Sequence, residues 1–230
     1  MRADNDQELP GTMRRRWTFA CGIASGIVFT LAHLVLGATK GGGYDPLRHP
    51  VSSLAIGPAG WLQAVNFWVL GLLLASLGLG YWTNLRTIRR GTAAAVLCWV
   101  IALGFCGAGT LTADPLNGYP PGTVPVSSER SPHGLAHDLF STLFFLGFPA
   151  LCLVFAGIFR RLGQRGWARY SMWSAVGMFA LFVLTAVALR QVAGLQAWAG
   201  LFQRLCITVA MTWFSLSSWH WWRQADPRRE

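Results

Sequence analysis

Charged positions divide this chain into long uninterrupted apolar runs. Trp17–Thr39 is 23 residues without a charge, Pro50–Leu85 is 36, Gly91–Ala113 is 23, Leu139–Phe159 is 21 and Tyr170–Leu189 is 20. A last run, from Gln191 to Trp222, is broken only by Arg204. A helix needs about 20 apolar residues to cross the hydrocarbon core of a bilayer. Six spans meet that length: residues 17–38, 59–82, 91–112, 132–159, 169–190 and 197–222. The runs are continuous rather than alternating, which excludes membrane strands. The pattern predicts an all-α fold, a six-transmembrane-helix bundle. Residues 1–16 and 223–230 are left as short tails on one side, and residues 17–222 form the transmembrane domain.

The charges between the runs give the orientation. With the N-terminus inside, the inner segments hold 14 of the 19 basic residues, and the outer ones hold Lys40, Arg48, Arg130 and Arg190. Positive residues accumulate on the cytoplasmic side, so the split predicts N-in and C-in. Trp17, Trp82, Trp167, Trp198, Trp219, Trp221 and Trp222 fall at span ends, where indoles prefer the headgroup layer. The first apolar run exceeds the 7–15 residues usual for a signal-peptide core, and it reads as a retained helix.

Composition agrees with this picture. Apolar residues make up 53% of the chain and charged ones 12%, against roughly a quarter charged in soluble domains. This excludes a disordered chain, a coiled coil and a basic nucleic-acid-binding domain, and it argues against an ordinary soluble enzyme. The net charge of +10 does not mark a nucleic-acid partner, because the arginines flank spans instead of forming one patch. Cys21, Cys98, Cys106, Cys152 and Cys206 lie in apolar runs and read as small hydrophobes, not as a disulfide framework. Arginine outnumbers lysine 18 to 1, a bias of GC-rich bacterial coding sequences. With the orientation, it suggests a bacterial cytoplasmic (inner) membrane.

Two outer connections are long and rich in Gly and Pro, Thr39–Pro58 and Ala113–Ser131, which predicts structured caps because these residues set turns. Gly43–Ser53 aligns without gaps on Gly118–Ser128 with seven of eleven positions identical. That is either an internal repeat or two loops of similar composition. Gly71, Gly78, Gly80, Gly104, Gly107 and Gly109 are expected to permit close helix packing.

Four of the five histidines, His33, His49, His133 and His137, fall on the outer side, together with Asp45, Asp114 and Asp138. His220 lies inside among tryptophans and reads as interfacial. In Ser131-Pro132-His133-Gly134-Leu135-Ala136-His137-Asp138, Ser131 suits an N-cap and Pro132 the first helical position. His133 and His137, four apart, share a helix face, a spacing used by metal ligands. Asp138 follows as a ligand or as a partner fixing a histidine tautomer. The competing reading is a helix start whose polar residues cap it and meet headgroups. Arg204 lies about two turns inside a span, where a charge must be paired or hydrated. Asp114 and Asp138 are its candidate partners, in a structural pair, or it clamps an anion. Asn66 and Gln203 read as interhelical hydrogen-bond glue, with Asn66 also a binding candidate. Ser52 and Ser53 read as cap serines or as a nucleophile or ligand.

Three blocks resemble the bacterial six-helix membrane proteins grouped as domain of unknown function 998. They are Ser52-Ser53-Leu54-Ala55-Ile56-Gly57-Pro58-Ala59-Gly60-Trp61, Gly109-Thr110-Leu111-Thr112-Ala113-Asp114-Pro115 and His133-Gly134-Leu135-Ala136-His137. The resemblance covers about residues 17–222 and implies a multi-pass membrane protein without an assigned activity. A fainter likeness, of chemistry alone, is to ceramidase-like and adiponectin-receptor-like membrane hydrolases, which combine Ser, Asp and three His at one membrane face.

These readings converge on an outward-facing His/Asp/Arg pocket that binds a small amphiphile, a lipid headgroup or an ion. Arg204, Asn66, His49 and Ser53 are its candidate binding residues, and His33 lies nearby. The alternative is a membrane-embedded, metal-dependent hydrolase of a lipid or amphiphile. There His133, His137, Asp138 and Asp114 are the catalytic candidates. His133, His137 and Asp114 would hold Zn²⁺ to activate water.

Overall fold

The computed structural model describes residues 10–124, 130–192 and 194–225. Six long helices make up the chain: α1 (Pro10–Thr39), α2 (Gly60–Leu85), α3 (Gly91–Thr110), α4 (Pro132–Arg161), α5 (Arg165–Leu189) and α6 (Ala199–Gln224). Each contains a stretch long and apolar enough to cross a membrane. Short 3₁₀ turns occupy Val51–Ala55 and Leu195–Trp198. Among the described residues the remaining regular pairing is one bridge between Leu116 and Tyr119. Of the predicted tails, residues 1–9 and 226–230 lie outside the described residues, as does the 125–128 part of the aligned loop motif.

Consecutive helices pack side by side, and α6 returns to α1, so the six form a closed ring in chain order. Short links at 86–90 and 162–164 make neighbours antiparallel. The connections α1–α2, α3–α4 and α5–α6 therefore share one end of the bundle, called here the loop end. Helix α4 supplies much of the central filling. Phe155 lies between Tyr81 (ring centroids 4.8 Å apart) and Trp213 (5.2 Å). Phe148 meets Trp213 edge-on at 5.6 Å and 88°. Such edge-to-face pairs suit the ring quadrupoles. The buried indole N–H of Trp213 donates to Ser171 Oγ at 3.0 Å.

Seams between helices depend on missing side chains. A Cβ on Gly71 of α2 would stand 2.5 Å from Cys106 Sγ of α3. One on Gly26 of α1 would stand 2.3 Å from the Met211 carbonyl oxygen of α6. Gly22, one turn before Gly26, faces Ser218 in the same way. This small-xxx-small pair lets α1 and α6 approach and close the ring. Gly78, Gly104, Gly107 and Gly109 also face neighbouring helices.

The outward faces are apolar. Leu31, Leu72, Leu103 and Trp173 are 59%, 59%, 57% and 70% exposed. Apolar faces around the whole circumference of a bundle match hydrocarbon, not water. The chain is a multi-pass membrane protein.

Candidate functional site

At the loop end, the α1–α2 connection is folded against α6 by Arg204. Its guanidinium donates to the carbonyls of Pro46, His49 (2.9 Å) and Gly200 (3.1 Å) and to the Tyr44 hydroxyl. Tyr44 Oη donates in turn to the Pro50 carbonyl at 3.1 Å. The Asp45 amide donates to His49 Nδ1 at 2.8 Å, so that nitrogen is unprotonated. Burial first, then the nearby Arg48 guanidinium, lowers the His49 pKa below its ordinary value, and the imidazole is neutral at pH 7. The rings of Tyr44, His49 and Tyr119 cluster with centroids 5.2–5.6 Å apart, Tyr44 edge-on to Tyr119 at 82° and the other two pairs tilted. The Val51 amide donates to Gln203 Oε1 at 2.7 Å, tying the 3₁₀ turn to α6.

Asn117 unites all three connections. Its amide group donates to the Arg48 carbonyl (2.8 Å) and the Gln196 carbonyl (2.9 Å), and its Oδ1 accepts from Gln191 Nε2 at 2.9 Å. It is fully buried. A buried amide with both ends bonded fixes its surroundings instead of destabilising them.

The start of α4 is pinned to the exit of α3. Ser131 is its N-cap and accepts from the Gly134 amide at 2.9 Å, with Pro132 at the first helical turn. Asp114 receives the Ser131 hydroxyl at 2.5 Å, the Ser131 amide at 3.0 Å and Arg130 Nε at 3.4 Å. Burial raises the Asp114 pKa, but the two Ser131 hydrogen bonds and the Arg130 charge outweigh it, so the carboxyl titrates below its ordinary value. Gly134 makes room: a Cβ there would lie 2.1 Å from Asp114 Oδ2. Arg130 also pairs with Asp138. One turn further along, His137 is buried and its Nδ1 donates to the Leu111 carbonyl at 2.7 Å. A carbonyl only accepts, so this nitrogen carries the proton.

Between α3, α4, α5, α6 and the Val51–Ala55 turn lies a cavity of about 540 Å³. Its loop-end wall carries Asp114, Arg130, Asp138 and Arg190. Ser53, His137, Ser141, Thr142, Thr185 and Gln203 add uncharged polar groups. Further along α4 and α5 the wall becomes aromatic, with Phe105 against Phe144 (4.6 Å) and Phe145 stacked on Phe182 (4.7 Å, 14°). Asp138 and Phe145 are seven residues apart on α4. At 1.5 Å per residue, polarity changes to apolarity over about 10 Å of helix. Pro149 lies within α4 and cannot donate to the Phe145 carbonyl, which loses its ordinary helical partner beside this wall.

The predicted site residues divide here. Asp114, Asp138, His137 and Ser53 line the cavity, whereas His133, His49, Asn66 and Arg204 are off its wall. His133 is exposed. Asn66 is buried and donates weakly to the Phe29 carbonyl (3.4 Å) and to Gln63 Oε1 (3.4 Å). His33 is buried against its own helix, with Nδ1 donating to the Phe29 carbonyl at 3.0 Å. The expected Arg204–aspartate pair does not form, because loop carbonyls reach the guanidinium first and Asp114 and Asp138 belong to Arg130. Among the described residues, no three His, Cys, Asp or Glu side chains gather closely enough to hold a metal ion. Sequence reasoning missed Asn117, Ser141 and Thr142. Asn117-Gly118 is a turn signal, but its side-chain bonds have no sequence signature.

The family model described as protein of unknown function (DUF998) matches residues 23–220, and the chain belongs to that family. No curated protein and no solved structure matches it.

Proposed function

We propose that this member of the DUF998 family binds one small amphiphile, with the head at the polar loop-end wall and the tail among Phe105, Phe144, Phe145 and Phe182. The observation that carries this reading is the polarity gradient along a single cavity of about 540 Å³. That volume lies within the roughly 300–1,000 Å³ of sites that take one small ligand. Apolar walls with a few convergent polar groups are the usual composition of such sites. Asp114, Arg130 and Asp138 shape the head region. Ser53 and Gln203 contribute hydrogen-bonding groups to the wall, and Arg204 and His49 support the cap next to it. The zinc-hydrolase alternative lacks a ligand set among the described residues.

The proposed orientation is N-in and C-in, in a bacterial cytoplasmic membrane, with the cavity opening outward. It rests on the 14-to-4 distribution of basic residues. Native mass spectrometry of the detergent-purified protein tests the binding reading. Hexadecylglycerol or hexadecyl phosphate should be retained at one per chain. Ser141→Trp, which places an indole in the cavity, should abolish retention while the melting temperature is kept. Failure of both probes to bind the unaltered protein would end the proposal.

A further inference from the structure

Resting on the amphiphile reading, the structure assigns the recognition of the head to Arg190: the ligand is a single-chain amphiphile with an anionic head, and Arg190 is the group that selects it. The four charged residues of the cavity wall are not equivalent. Arg130 is committed to Asp114 and Asp138, so these three charges satisfy one another on the α3–α4 side. Arg204, the anion clamp expected from sequence, is off the wall and engaged by three carbonyls and a phenol. Arg190 is the C-cap of α5 and lines the same cavity, and its guanidinium has no hydrogen-bond or ion-pair partner among the described residues.

Arg190 is exposed at the cavity rim, and its backbone is fixed by the neighbouring residue. Gln191 adopts a positive φ of 63° and donates its side-chain amide to Asn117, the residue that joins the three connections. The backbone that carries Arg190 is thereby held at the cavity rim before any ligand arrives, which lowers the ordering cost of binding. Next to it on α5, the wall consists of Thr185, Ala186 and Leu189, then Phe182. A phosphate or carboxylate on Arg190 thus continues directly into an alkyl chain lying toward Phe145 and Phe182. A guanidinium makes paired, charge-assisted hydrogen bonds to either anion. A cation at a helix C-terminus also complements the helix dipole. That role alone would give no preference among ligands, so the two are separable.

The experiment compares hexadecyl phosphate, hexadecylglycerol and inorganic phosphate by native mass spectrometry, using the purified full chain and its Arg190→Gln and Arg190→Lys variants. The expected result is a preference of about tenfold for the alkyl phosphate over the alkylglycerol, the scale of a hydrogen bond to a charged group. Arg190→Gln should erase that preference and leave hexadecylglycerol binding within twofold, and Arg190→Lys should restore part of it. Equal binding of the two alkyl probes by the unaltered protein would overturn the inference and leave the amphiphile reading standing. A preference that survives Arg190→Gln would overturn it as well, by moving recognition to another cation. Displacement of hexadecyl phosphate by millimolar inorganic phosphate would show a site for a free anion and would also overturn it. Absence of all binding would instead remove the amphiphile reading beneath it.

Discussion

Asp114 and Ser131 hold each other twice. The Ser131 hydroxyl donates to one carboxylate oxygen at 2.5 Å and its amide to the other at 3.0 Å. The same hydroxyl oxygen accepts from the Gly134 amide at 2.9 Å. A carboxylate, a hydroxyl and a free helical N–H form a relay across the 21 residues between α3 and α4. The first turn of α4 is placed by this relay, and with it the second turn, where His137 and Asp138 line the cavity.

Asp114→Ala should therefore lower stability by about 2 kcal/mol, the sum of a lost cap support and an unpaired neighbour. Ser131→Ala should cost about 1 kcal/mol. The double variant should cost less than the sum, because both remove the same bond. Thermal unfolding in detergent measures all three. Additive losses would show that the two residues act separately.

The same carboxylate gives a pH dependence. Its pKa is lower folded than the ordinary value of about 3.9 for an unfolded Asp. Its stabilisation is complete above that unfolded value and is lost as pH falls through the lower folded pKa. Melting temperature should stay level from pH 7 to about 5 and then fall in acid. Asp114→Asn should remove part of the acid-side fall and leave the neutral plateau lower.

Arg204 should tolerate no conservative replacement. Arg204→Ala removes donors from carbonyls at Pro46, His49 and Gly200 and from Tyr44, a loss of about 2–3 kcal/mol. Arg204→Lys should recover less than half, because an ammonium cannot bridge the acceptors as a planar fork does. Limited proteolysis should cut the α1–α2 connection faster in both variants. Unchanged cleavage would contradict the assigned role.

Gly134→Ala is expected to be costly although alanine favours helices. Its methyl would sit 2.1 Å from the Asp114 carboxylate, and displacing that group should cost about 1–3 kcal/mol. In an Asp114→Ala background most of the penalty should vanish. A full penalty in both backgrounds would place the strain elsewhere.

How far the sequence foretells this molecule depends on what each feature is made of. The six helices were legible because their cause, an uninterrupted apolar run, is itself a sequence pattern. The Ser131-Pro132 start of α4 was legible because capping is local. Helix α1 begins at Pro10, before the expected Trp17, since hydropathy marks only the membrane-crossing part and arginines are good helix formers. Closure of the ring by Gly22 and Gly26 was not foreseen, because a small-xxx-small pair does not say which helix it will meet. Arg204 was paired in expectation with aspartates. Backbone carbonyls took that place, and no residue type announces them. His133 and His137 share a face by spacing, yet within the first two turns of α4 one is exposed and the other is buried against the exit of α3. Spacing fixes direction on a helix; the neighbours decide what each residue meets.

The proposed orientation, argued from charge alone, is tested at Val124, which is 61% exposed at the loop end. With Cys21 and Cys106 replaced by Ala, Val124→Cys should react with a membrane-impermeant maleimide in intact cells. Reaction only after lysis would reverse the proposed topology.

The central claim is that the cavity between α4 and α5 holds the tail of an amphiphile. Photo-crosslinking tests it most directly, using an alkyl phosphate with a diazirine near the end of its chain and peptide mapping of the full-length protein. The account predicts labelling concentrated on the α4 and α5 peptides that contain Phe145 and Phe182, and lost in Ser141→Trp. Labelling spread over the lipid-facing residues of all six helices, unchanged by Ser141→Trp, would contradict it.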